Sequence, residues 1–207
     1  MSFQTSEMDT TFGLSGERIL SSSIKGQIFE FRDIVYIVYT EFINQQYHII
    51  VYQPTTQQKT ILYSSSLYPV IRTLKLDTIN PKIWFAGYID KPMNGFYTSS
   101  SISTSNVFSP ITSLNILNNT KTIESLTIVN GTTILFSAIS PNNECWIMSS
   151  ASSNIYQIHT SLKSFSVKDI YFQSRVYHVL IEGISNTSNK SVVEMYKIPG
   201  NTLNGSF

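Results

Sequence analysis

Four apolar, strand-like runs recur along this chain at a spacing of roughly forty to fifty residues, and that period is what most limits its fold. They begin at Val35, Lys82, Thr133 and Val176. Each follows a shorter candidate strand, at Gln27 to Phe31, Arg72 to Leu76, Ile123 to Ile128 and Ser166 to Phe172. Each is followed by another, at Tyr47 to Tyr52, Gly95 to Thr98, Cys145 to Met148 and Val192 to Tyr196. A fourth candidate strand closes the first three units, at Thr60 to Tyr63, Asn106 to Phe108 and Asn154 to Ile158. No run keeps the 3.6-residue period of an amphipathic helix. The pattern predicts an all-β fold, a β-propeller-like array of about four four-stranded antiparallel blades, with a β-sandwich or barrel as the alternative. The second and third units match best. Their small pairs, Ala86/Gly87 and Ser137/Ala138, fall where blades would crowd together.

Composition agrees with this reading. Alanine occurs only at 86, 138 and 151, while 12 Tyr and 12 Phe favour pleated, half-buried surfaces. With 42% hydrophobic residues the chain can offset the entropy of ordering. Only 13% of residues are charged and the net charge is +1, so nucleic acid and anionic membranes are not indicated as partners. No stretch reaches the length of a membrane span, and the N-terminus lacks the apolar run of a signal peptide, which favours virion or cytoplasm. The single cysteine, Cys145, reads as a small buried hydrophobe. Residues 1–17 read as an extended N-terminal arm with Phe12 and Leu14 as apolar anchors, and 18–207 as a single propeller-like domain. Residues 17–24 could also supply an outer strand to the last unit and close a ring.

Two units carry a spaced serine pattern ending in an aromatic residue: Ser101-x-Ser103-x-Ser105-x-x-Phe108 and Ser149-x-Ala151-x-Ser153-x-x-Tyr156. The pattern resembles a degenerate Asp-box repeat, Ser-x-Asp-x-Gly-x-x-Trp, of the BNR-type propellers. The aspartate and glycine of the box are replaced in both copies, and the likeness covers mainly residues 72–160. The resemblance implies a fold, in which the box is a hairpin between the outer two strands of a blade, and implies no activity. Within that family the enzymatic analogy is sialidase, which needs an arginine cluster, a Tyr/Glu pair and an acid/base aspartate. Arg18, Arg32, Arg72 and Arg175 are spread over the chain, and Phe31-Arg-Asp-Ile34 lacks the proline of the family's Arg-Ile-Pro motif.

The residues offer no other catalytic constellation, so the expectation is a protein that is not an enzyme and needs no cofactor or metal. Asp33, Asp77, Asp90, Glu144 and Asp169 could in principle pair as glycosidase carboxylates, but no spacing singles out two of them. There is no Gly-x-Ser-x-Gly elbow, phosphate loop or dinucleotide fingerprint. His48, His159 and His178 stand apart in different units, unlike metal ligands. What remains is binding. The loops between second and third strands would share one face of a propeller, and they carry Asn44; Asp90 and Lys91; Asn142, Asn143 and Glu144; and Asn189 and Lys190. These are the candidate binding residues. The expected partners are other protein subunits of a larger assembly, such as a phage or large-virus particle. The alternative is a glycan-binding, lectin-like module.

Overall fold

A computed structural model describes residues 26–130 and 133–199. They form four antiparallel sheets, each built from consecutive strands. The first contains β1 (Gln27–Phe31), β2 (Ile34–Ile43), β3 (Gln46–Gln53) and β4 (Gln58–Ser65). The second contains β5 (Tyr68–Asp77), β6 (Lys82–Asp90), β7 (Asn94–Ser101) and β8 (Asn115–Leu117). The third contains β9 (Thr122–Asn130), β10 (Thr133–Ile139), β11 (Cys145–Ser149) and β12 (Ser152–Ile158). The fourth contains β13 (Leu162–Gln173), β14 (Val176–Ser185) and β15 (Ser191–Pro199), three strands among the described residues. The expected arm and the closing strand of residues 17–24 lie outside the described residues.

The sheets pack face to face in chain order. The first two enclose a core that includes Phe29, Tyr36, Val38, Val51, Phe85 and Phe96. The second and third meet over Trp84, Ala86, Leu126, Ile134 and Phe136. The third and fourth meet over Leu135, Cys145, Ile147, Tyr177, Val179 and Ile181. Interior strands are buried on both faces, those of the first sheet with a separate cluster of Ile37, Tyr39, Ile50 and Tyr52 on the second face, which is why β2, β3, β6 and β10 read as nearly continuous apolar runs. Successive side chains on a strand point to opposite faces, so neighbours serve different interfaces: Phe85 faces the preceding sheet and Trp84 the following one. Phe136 and Leu135 repeat that division one sheet later.

The first strands of the second, third and fourth sheets carry a regular irregularity. The β5–β6 register jumps between Ile71 and Thr73, setting Arg72 out as a β-bulge. The β9–β10 register jumps in the same way around Glu124, and the β13–β14 register around Lys168. Arg72, Glu124 and Lys168 are all charged; further jumps near the strand ends set out Val129 of β9 and Lys163 of β13. Arg72 and Glu124 pair at 2.8 Å across adjacent sheets, Lys168 pairs with Glu182 at 2.7 Å, and Lys75 of β5 reaches Asp169 of β13 at 3.5 Å. Of the bulged charges, Arg72 and Glu124 thus neutralise each other, while Lys168 is neutralised by Glu182 of its neighbour β14. Opposite the first bulge stands Gly87. A Cβ built there would lie 1.9 Å from the Val70 carbonyl oxygen, so its smallness answers to its own sheet and not to a neighbouring blade. Ala86 does lie in the core between sheets, as expected.

One strand lies elsewhere than expected. The outer strand of the second sheet is Asn115–Leu117, not Asn106 to Phe108. Ser103 explains the shift. Its amide bonds the Val107 carbonyl and its hydroxyl accepts from the Val107 amide, closing a loop instead of a strand. An isolated bridge joins Ile102 to Phe108. Phe108 then leaves its own sheet and inserts against Tyr36 and Phe29 of the first, at ring separations of 5.1 and 6.2 Å. The similar segment from Ser149 instead makes the tight turn of the β11–β12 hairpin, with the Ser149 hydroxyl accepting from the Ala151 amide. Two segments of like sequence thus differ in structure.

Candidate functional site

The four loops expected to carry binding residues are built first of all as turns. Asn44, Lys91, Asn143 and Asn189, one in each loop, all adopt positive φ, between 50° and 64°. Asparagine tolerates that conformation better than most residues, which accounts for three of the four. The third and fourth loops share a further device. The Ser140 hydroxyl accepts from the amides of Asn142 and Glu144, and the Ser185 hydroxyl from those of Thr187 and Ser188. Asn143 also accepts from the Lys121 ammonium at 2.8 Å, and Glu144 accepts from Gln157 and from the Ser140 hydroxyl. Asp90 ends β6 opposite Tyr68, half-buried, while Asn44, Lys91, Asn142, Asn189 and Lys190 are exposed. These loops lie at the sheet ends where the chain crosses from one sheet to the next, as the Lys121 contact and the bond from Asn186 to the Ser161 carbonyl show.

Several candidate chemical groups are committed to structure. The Asp77 carboxylate accepts from the amides of Ile79 and Asn80 and holds the β5–β6 turn. His48 is buried, with its Nε2 at 3.2 Å from the Ile43 carbonyl and its Nδ1 at 2.8 Å from the Ser64 hydroxyl. The carbonyl can only accept, so Nε2 carries the proton. Burial pushes the Cys145 thiol up to about 12, with Glu124 adding to the effect, and the group is inert at neutral pH. Glu194 gathers the hydroxyls of Ser161, Tyr196 and Thr160. Those bonds, Ser161's first, hold its carboxyl below the usual carboxylate value despite some burial. Among the described residues no three His, Cys, Asp or Glu side chains are grouped to hold a metal ion. No helix among them is long and apolar enough to cross a membrane.

Two features of the structure were not read from the sequence. The first is the outer face of the fourth sheet. His178 stands there in register with Tyr171 and Lys197, and Leu180 with Asp169 and Met195. Tyr171 and His178 stack at 4.7 Å, nearly parallel. Val193 and Met195 are 61% and 55% exposed, whereas Cys145 and Ile147, on the corresponding face of the third sheet, are fully buried. The alternating pattern of β15 implies two faces but not which of them is covered.

The second is a pair of clefts at the opposite end of the sheets from the four loops. One, of about 290 Å³, lies between the first sheet and the Ser105–Phe108 segment and is lined by residues including Tyr36, Gln53, Gln58, Thr60 and Asn106. The other, of about 380 Å³ and more open, runs beside Trp84, Tyr97, Ser99 and Ser150. None of the eight candidate loop residues lines either cleft. The first was hidden because its wall is the segment mistaken for a strand.

No family model matches the chain, Asp-box repeats included, and no curated protein matches it. Solved structures do. Extracellular domains 1–2 of Drosophila Semaphorin 1b superpose with a TM-score of 0.53 at 8% identity, over 89% of this chain and 39% of that one. A chain of a nidogen/laminin complex gives 0.45 at 10% identity, over 78% and 59%. The polysaccharide lyase Uly1 gives 0.44 at 8%, over 86% and 46%. The chain spans less than two thirds of each. The fold is that of a β-propeller domain. At 8% identity the semaphorin likeness speaks to fold alone.

Proposed function

We propose that this protein is a non-enzymatic interaction domain that docks onto other protein subunits of a larger assembly through the outer face of its fourth sheet. The observation that carries the reading is the exposed apolar row of Val193 and Met195 beside Leu180 and the Tyr171–His178 stack. In the first three sheets, the face turned toward the following sheet is buried. Among the described residues that face of the fourth sheet is open, and it presents what an apolar interface core requires, with Lys197 and Glu182 at its margin. The low charge and uncharged polar surface suit a part of an assembly, and the abundance of Ile, Asn, Tyr and Ser suits a phage or large-virus particle.

The test places a photo-crosslinking residue at 193 or 195, with the exposed Ile79 as the control position, in protein expressed in its native setting. Crosslinks to one discrete subunit from 193 and 195, absent from 79, are expected. A double substitution Val193→Asp/Met195→Asp should abolish incorporation while changing the stability of the isolated chain by no more than about 0.5 kcal/mol, as is usual for exposed positions. Normal incorporation of that variant would overturn the reading.

A further inference from the structure

The smaller cleft has the chemistry of a ligand site. Its polar lining consists of three side-chain amides and several hydroxyls, from Gln53, Gln58, Thr60, Ser105 and Asn106, and it contains no charged group. Much of that capacity is uncommitted. Gln53 uses its amide nitrogen on Thr55, and Asn106 uses its carbonyl oxygen on Arg32, which leaves an acceptor on one and a donor on the other. Ile34, Val51 and Val107 supply apolar wall. Tyr36 forms part of the lining and is 2% exposed, and its hydroxyl is buried with no hydrogen-bond partner. A buried hydroxyl without a partner is destabilising, so its retention calls for a reason. The ring itself is fixed by stacking on Phe29 at 5.1 Å and by the edge contact with Phe108.

The lip of the cleft is tethered from one side. Arg32, lying over the Phe31 ring, donates to the Thr104 carbonyl at 2.6 Å and to the Asn106 side chain at 3.2 Å. Ser103 and Ser105 bond each other within the loop.

We infer that this cleft binds one unit of a neutral, polyhydroxylated ligand, a sugar ring, with the side-chain amides of Gln53, Gln58 and Asn106 and the hydroxyl of Tyr36 as its polar contacts. Three features of the cleft match such a ligand. A volume of about 290 Å³ is at the small end of ligand clefts and suits a single compact ring. Amides both donate and accept, as sugar hydroxyls do, and the absence of charge in the lining disfavours an anion. The apolar wall suits the carbon face of such a ring. The site is independent of the fourth-sheet surface, so either can fail without the other.

The test is a titration of isotope-labelled protein with glucose, galactose, mannose and N-acetylglucosamine, each followed through the side-chain amide signals of Gln53, Gln58 and Asn106. Saturable shifts of those signals with at least one sugar are expected. Tyr36→Phe should weaken that binding roughly tenfold, the effect of one lost hydrogen bond. The same substitution should leave the melting temperature unchanged or raise it, because it removes a hydroxyl that the unliganded fold does not satisfy. Three outcomes would overturn the inference: no saturable shift with any of the four sugars, shifts confined to other residues, or undiminished binding by Tyr36→Phe. Binding only of a charged sugar, tested with glucuronate as a fifth probe, would overturn it as well.

Discussion

Substitution of Gly87 by alanine tests the bulged architecture of the first strands. Replacing glycine by alanine in a strand ordinarily stabilises by roughly 0.5–1 kcal/mol, because the unfolded chain loses freedom. Here the new Cβ would meet the Val70 carbonyl oxygen at 1.9 Å and the Arg72 amide nitrogen at 3.0 Å. Both are backbone atoms of β5, so no side-chain rotation relieves the contact. The pairing of β5 with β6 must open by more than an ångström at the point where the register jumps from Ile71 to Thr73. Overpacking of this kind costs about 1–3 kcal/mol and at times more, and a rigid backbone neighbour places it at the upper end. After subtraction of the entropic gain, a net loss of about 2 kcal/mol is expected. Urea unfolding followed by tryptophan fluorescence measures it as a lower midpoint with an unchanged slope. Because the usual effect has the opposite sign, a neutral or stabilising Gly87→Ala would be enough to refute the bulge geometry.

Phe136→Ala should cost about 3–5 kcal/mol, since the ring is fully buried between the second and third sheets beside Tyr97, and a loss under about 1 kcal/mol in urea unfolding would show the wrong face inward. Glu194 has a depressed folded-state pKa, so its stabilisation is present above its ordinary value of 4.5 and lost as pH falls through the folded value. The melting-temperature difference between wild type and Glu194→Gln should therefore be flat at neutral pH and shrink below about pH 4.5; a difference constant down to pH 3 would contradict this. For the arm, deletion of residues 1–13, which spares the possible closing strand at 17–24, is expected to leave the melting temperature unchanged while abolishing incorporation into the assembly, and a large loss of stability on that deletion alone would refute the reading of this segment as an arm.

The sheets were legible in the sequence because interior strands of a stacked array are buried on both faces, leaving continuous apolar runs such as those at Val35 and Lys82. The turns were legible for a similar reason, since the need for positive φ selects asparagine at 44, 143 and 189. The Asn106 to Phe108 segment was misread because an aromatic after polar residues looks the same whether it ends a strand or plugs a neighbouring sheet. The clefts and the bulges depend on what comes together across sheets. The local trace of the three mid-strand bulges is a charge, at Arg72, Glu124 and Lys168, inside an otherwise strand-like run. That trace needs a register before it can be interpreted.

The order of packing is the claim on which the rest depends, and nuclear Overhauser contacts between core side chains measure it most directly. Contacts are expected of Tyr36 with Phe108, of Tyr97 with Phe136, and of β10 and β11 methyl groups with those of β14, so that each sheet meets the next in the chain. Contacts placing Tyr36 and Val38 against the core side chains of β10 or β14, as two sheets of a sandwich would require, would contradict it.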